Sequence, residues 1–134
     1  MREKFPYEKE VSKLFGVIKR PVALAYCWSQ RFHTYLKVYF IVDTGADYTL
    51  FPFSKAYDFG INLEKDCKKF KTYGIGGEET VFLCPEFKIK LCGKELFLPV
   101  GFLKRDDIPP LLGRHKCLDE FSVLFSDFIT TFEC

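Results

Sequence analysis

Apolar residues along this chain come in short runs cut by glycine, proline and charged residues, a pattern of strands rather than long helices. Residues 21–28 read PVALAYCW and 35–42 read YLKVYFIV. Gln30 and Arg31 lie between these two runs, which predicts a hairpin. The second run stops abruptly at Asp43, Thr44 and Gly45, residues that end a strand in a tight turn. A further strand or turn is expected at 49–51, ended by Pro52, and Ser54 is placed to cap a short helical turn through Tyr57 that Gly60 stops. Residues 70–73 lead into Gly74, Ile75, Gly76 and Gly77, and 80–83 lead away, which predicts a hairpin with a glycine tip. Phe87, Lys88, Ile89, Lys90 and Leu91 alternate as a half-buried strand, and 96–102 return after a turn at Cys92, Gly93 and Lys94. After a loop at 106–110, Leu111 and Leu112 form a brief apolar run ending at Gly113, with room for a short helix over 114–119. Strands are expected at 122–125 and 128–132. Residues 1–14 are charged and broken by Pro6, and read as an arm or irregular extension ahead of a single domain over 15–134. The chain is thus expected to be all-β with one or two short helices, without repeats.

Composition adds exclusions. A chain of 134 residues fits one domain, and 48% hydrophobic residues exclude a disordered chain. The 16 Phe, 7 Tyr and 1 Trp supply a core with apolar area left for a groove or partner. Twenty basic against 18 acidic residues give a net charge of +2, too even for an ordinary nucleic-acid binder. Lys65, Lys68, Lys69 and Lys71, interrupted by Asp66, read as a solvated face. No apolar run reaches the ~18 residues of a membrane span, and the charged beginning lacks a secretory pattern. A cytoplasmic protein is expected, with no membrane partner. Cys27, Cys67, Cys84, Cys92, Cys117 and Cys134 form no CxxC pair, so a zinc ribbon is not expected. In that compartment most of them read as small buried hydrophobes, with an intracellular disulfide left open.

The residues that suggest chemistry are VDTGAD at 42–47, where an apolar strand delivers Asp43 onto a turn held by backbone. Alone, this is an ordinary strand-ending Asp-Gly turn. Followed by the glycine-rich 74–77 and then by Leu111-Leu112-Gly113-Arg114, it resembles the retroviral-type (retropepsin-like) aspartic proteases, closest to their cellular single-domain relatives, over about residues 17–133. The resemblance implies a closed barrel-like fold with a flap hairpin, assembled as a C2 homodimer, because only one Asp-Thr-Gly is present. It implies an aspartic endopeptidase acting on extended polypeptides, without metal or cofactor. Asp43, Thr44 and Gly45 then take catalytic positions, and Ala46, Asp47, Ile75, Gly76, Gly77 and Leu111 contact substrate. Leu112, Gly113 and Arg114 support the site, with Arg114 paired to Asp47 by a guanidinium–carboxylate bond. Leu111 and Leu112 serve equally well as core, and Arg114 as a solvated helix residue.

The alternative in another class is a non-catalytic dimeric peptide-binding or scaffold module on the same fold. Other motifs fall away. Asp58-Phe59-Gly60 spells a kinase tripeptide without the rest of a kinase, and 74–77 is no dinucleotide fingerprint. Ser122 or Ser126 with His115 lacks a nucleophile elbow, and Cys117 two residues from His115 does not face it on a helix. Glu78 and Glu79 add acidity beside the glycine tip.

Overall fold

The computed structural model describes residues 1–74 and 76–134. Twelve strands are present among the described residues: β1 Arg2–Pro6, β2 Glu8–Ser12, β3 Gly16–Arg20, β4 Val22–Ser29, β5 Thr34–Val42, β6 Thr49–Pro52, β7 Lys68–Gly74, β8 Gly77–Leu91, β9 Lys94–Leu103, β10 Leu111–Leu112, β11 Ser122–Ser126 and β12 Ile129–Glu133. Two short helices, α1 Lys55–Phe59 and α2 Leu63–Asp66, follow β6. The expectation of a mostly-β chain with one or two short helices is met, though only α1 stands where a helix was expected.

The main sheet runs β4-β5-β10-β6-β9-β8-β7. Strand β8 also pairs with β4, through Tyr26↔Lys90 and Cys27↔Ile89, so six strands close into a barrel and β7 hangs outside the ring. Period-two alternation decides what faces inward. Strand β4 contributes the small residues Ala23, Ala25 and Cys27, while β5 contributes Val38, Phe40 and Val42. Strand β9 adds Leu96, Leu98, Val100 and Phe102. Phe51 sits among Phe40, Phe59, Phe87 and Phe102, with ring centroids 5.1–5.4 Å away. Edge-on and offset aromatic contacts of this kind add to the area they bury.

Residues 1–14 are not an irregular arm. Strand β1 joins β12, with Phe5 opposite Thr130 and its ring edge-on to Phe132 at 5.8 Å. Strand β2 pairs with β3, so the 14/15 boundary falls inside a hairpin. The polar run at 1–14 conceals both strands because each is satisfied by backbone pairing with a neighbour rather than by burying a full apolar face.

Local differences have local causes. Ser54 makes no side-chain cap bond to α1; its N–H donates to Asp106 Oδ1 at 2.8 Å. Gly60 ends α1 in the left-handed region at φ 71°, as a helix C-terminus commonly requires. A Cβ at Gly60 would also meet the Arg31 backbone nitrogen at 2.6 Å. The kinase-like tripeptide is simply this helix end, with Phe59 in the core. Helix α2 was not anticipated; the Asn62 side chain caps it, accepting from the Lys65 N–H at 3.2 Å. The short helix expected over 114–119 is a turn followed by one 3-10 turn at Leu118–Glu120. Lys116 adopts φ 52°, and the N–H groups of Arg114 and His115 are drawn away to carbonyls of 46 and 47.

The cysteines take both of the roles left open to them. Cys67 and Cys84 form a disulfide, with Cα atoms 4.6 Å apart. Antiparallel pairing of Lys68 with Leu83 brings together two cysteines 17 positions apart in sequence. Cys27, Cys92 and Cys117 are free and buried, as small hydrophobes would be, while Cys134 is exposed. No helix among the described residues is long and apolar enough to cross a membrane.

Candidate active site

Asp43 stands at the first position after β5, and the chain around it is fixed by backbone bonds to β10. The Ile41 N–H donates to the Pro110 carbonyl at 2.9 Å, and the Asp43 N–H to the Leu112 carbonyl at 3.0 Å. Leu111 and Leu112 run parallel to Ile41 and Val42, while Leu111 pairs antiparallel with Leu50 of β6. The two-residue strand β10 is thus wedged between the strand that ends at Asp43 and the strand that follows its turn.

Within the turn, the Gly45 N–H donates to Asp43 Oδ1 at 3.0 Å, and the Ala46 N–H to the Asp43 carbonyl at 3.2 Å. The first bond aims the carboxylate, because a backbone donor orients one of its oxygens. A Cβ at Gly45 would lie 3.3 Å from that oxygen. Asp43 is half-buried, and Thr44 beside it is exposed.

Gly113-Arg114-His115 lock the far side of the turn. The Arg114 N–H donates to the Ala46 carbonyl at 3.0 Å, and the His115 N–H to the Asp47 carbonyl at 2.8 Å. The Gly113 N–H donates to Thr49 Oγ1 at 3.2 Å, in the buried interior. A Cβ at Gly113 would meet the Tyr48 carbonyl oxygen at 2.3 Å, so this position requires glycine for close approach. The Arg114 guanidinium reaches the Asp47 carboxylate. That pair lies on the protomer surface, with side chains 46% and 80% exposed, and so contributes at most about 1 kcal/mol.

Above this floor, β7 and the start of β8 form the hairpin expected from the glycines, with Gly74 opposite Gly77. Gly77 uses φ 103°, and Gly76 is exposed with open space where a Cβ would project. Ile75, expected at the tip, lies outside the described residues. Lys71 and Glu78 pair across the strands at 3.1 Å, and Glu79 pairs with Arg105 at 2.7 Å. Arg105 also binds Asp107, holding that carboxyl below its ordinary range. Both glutamates beside the tip therefore carry cationic partners.

Between hairpin and floor lies a groove of about 730 Å³. Its walls include Phe70, Thr72, Val81 and Leu83 from the hairpin strands, Pro99 from β9, and Asp47, Tyr48, Arg114 and His115 from the floor. The structure thus brings Asp47 and Arg114 to one cleft with the hairpin. Asp43, Ala46 and Leu111 lie outside its lining; Leu111 is half-buried, and Leu112 is fully buried in the core. Tyr48 is half-buried; desolvation, and then the nearby Asp47 charge, raise its phenol above the ordinary value.

Sequence reasoning missed Tyr48, Thr49 and the hairpin walls. For the walls a signal existed, since Phe70 and Thr72, and Val81 and Leu83, share a face by alternation. Thr49 carried none, because a fully buried threonine is indistinguishable in sequence from a strand-surface one. Cys117 is no nucleophile. Burial, partly offset by a hydrogen bond with Thr49, pushes its thiol up to about 12.

No family model and no curated protein matches the chain. Among solved structures it is similar to the crystal structure of a retropepsin-like aspartic protease from Rickettsia conorii. The TM-score is 0.65 at 19% sequence identity, over 95% of this chain and 98% of that one. A likeness at that identity establishes architecture: the chain has the retropepsin-like fold.

Proposed function

We propose that this chain is an aspartic endopeptidase that works as a C2 homodimer, each subunit contributing Asp43. The observation that carries the reading is the Asp43 carboxylate, held by the Gly45 N–H in a turn that is tied to β10 and whose Asp47 and Tyr48 line the groove under the hairpin. One Asp-Thr-Gly supplies half a site, and a twofold axis beside Asp43 supplies the rest.

Two carboxylates held close do not both ionise readily, so the pair shares a proton, and its two apparent pKa values belong to the pair. The ionised aspartate takes a proton from water. The other donates to the scissile carbonyl oxygen as the water oxygen attacks carbon. The tetrahedral intermediate collapses as the leaving nitrogen gains a proton. Thr44, exposed beside Asp43, is assigned to bridge to the partner's turn, and Gly45 to contact the substrate backbone. An extended peptide lies between hairpin and floor, its side chains entering alternate pockets. Apolar Phe70, Val81, Leu83 and Pro99 favour apolar side chains there.

The test is cleavage of a pool of unstructured peptides by mass spectrometry, at high protein concentration and from about pH 3 to pH 8. Wild type is expected to cut, Asp43→Asn to be inert, and a chelator to change nothing. A folded dimer that binds peptides but cuts none would replace this reading with the peptide-binding module.

A further inference from the structure

We propose that Cys92 and Cys134 are a modification site: on oxidation they form a second disulfide, which latches the barrel to the sheet packed against it. The inference is independent of the aspartate chemistry. Strands β1, β12 and β11 make a sheet of three, in that order, that pairs with no strand of the barrel among the described residues. Side-chain packing joins the two. Phe132 of β12 is fully buried, and the rings of Phe5 and Phe121 stand edge-on to it at 5.8 and 5.5 Å. The joint lacks the backbone ladder that ties strands within either sheet. Two thiols lie across it. Cys92 is in the β8–β9 turn and Cys134 follows β12, with their sulfurs 4.0 Å apart.

The turn holds its thiol in an uncommon way. Leu91 pairs with Lys94, so Cys92 and Gly93 alone form the loop, at φ 54° and 71°. A two-residue hairpin loop with both residues left-handed favours asparagine before the glycine, and cysteine is a poor choice there on conformation alone. The Cys92 thiol is turned inward, donating to the Phe132 carbonyl at 3.6 Å, and the residue is 2% exposed. Cys134 Sγ lies 3.4 Å from the Cys92 carbonyl. A disulfide needs the sulfurs at about 2.05 Å, a closure of roughly 2 Å that side-chain rotation at the exposed Cys134 can provide.

Cys134 meets the oxidant first, since it is exposed, whereas desolvation and then the Cys134 thiol bonded to it raise Cys92 above its ordinary value. The oxidant is a small-molecule disulfide such as glutathione disulfide. The Cys134 sulfur attacks one of its sulfurs, giving a mixed disulfide and one glutathione thiol. The Cys92 sulfur then attacks the Cys134 sulfur, the mixed bond breaks, and the second glutathione leaves. Two cysteines are oxidised, one glutathione disulfide is reduced, and the two cysteine protons end on the glutathione thiols. Nearness of the two sulfurs favours the internal step.

The test treats the full chain with glutathione disulfide, blocks remaining thiols, and maps the digest by mass spectrometry without reductant. A peptide pair joined through Cys92 and Cys134 is expected, and should vanish in Cys134→Ser. Glutathione left on Cys134, a bond between two chains through Cys134, or both thiols still free would overturn the proposal. The bond closes a loop with a sequence separation of 42, so the oxidised chain should melt about 5 °C or more above the untreated chain. The same treatment of Cys134→Ser should leave its melt unmoved. A wild-type bond that forms without raising the melt would overturn the latch.

Discussion

The floor of the candidate site and the hairpin above it are built on opposite terms. The floor is a backbone structure: β5, β10 and β6 bond to one another, Leu112 and Thr49 beneath them are fully buried, and Gly113 lies against the Tyr48 carbonyl without room for one carbon. The hairpin is a surface structure. Residues 68–73 are exposed, its cross-strand pair Lys71–Glu78 faces water, and the space around Gly76 is empty. It is tied down by the Cys67–Cys84 disulfide at its base, by pairing of Val81, Phe82 and Leu83 with β9, and by the Glu79–Arg105 pair nearer the tip. Close backbone packing is placed around the Asp43 turn, and exposure along β7 and the glycine tip.

The widest separation between the two regions should come from one substitution made in each. Gly113→Ala drives a methyl into backbone that cannot yield, and is expected to cost about 3 kcal/mol or more in urea unfolding. Gly76→Ala has open space and is expected to stay within about 0.5 kcal/mol. Similar costs at both positions would erase the distinction.

A smaller effect comes from the thiol beneath the floor. The buried Cys117 thiol is raised from 9.0 to about 12 in the folded protein. Between those values the unfolded chain has lost the proton and the native protein has kept it, so stability falls as pH rises. The slope from this group is about 1.4 kcal/mol per pH unit above pH 9, and Cys27, also raised by burial, adds in the same direction. Urea melts at pH 8, 9 and 10 should trace the decline, and Cys117→Ala should lessen it, leaving the part due to Cys27. An unchanged slope in that variant would mean that the thiol is not sealed from water.

The smallest effect is expected where the sequence resemblance suggests a structural tie. Arg114→Lys breaks the fork to Asp47, yet both side chains are exposed, so the monomer should lose less than about 1 kcal/mol. A larger loss seen only at concentrations where the chain dimerises would locate the pair in the assembly rather than in the protomer.

Legibility followed the same division. Asp43, the glycine tip and Leu111–Arg114 were readable because strand-ending turns and close approaches demand particular residues, and those residues occur in order. The two-residue strand β10 was readable only as an apolar run; its wedged position depends on pairing with Ile41 and Leu50, far away in sequence. Barrel closure through Tyr26 and Lys90 and the Cys67–Cys84 bond are long-range matters of the same kind. Strands β1 and β2 escaped because charged residues on exposed positions hide backbone pairing.

Strand β8 belongs to both regions. It leaves the glycine tip at Gly77, passes an irregularity between Cys84 and Phe87, and ends at Leu91 in the sealed barrel. Pro85 within that irregularity has no N–H for the ladder. One uninterrupted stretch of chain should therefore hold some of the fastest and some of the slowest amides to exchange with deuterium. The boundary between them, near Pro85, marks where opening of the hairpin stops being a local event and becomes unfolding of the whole protein.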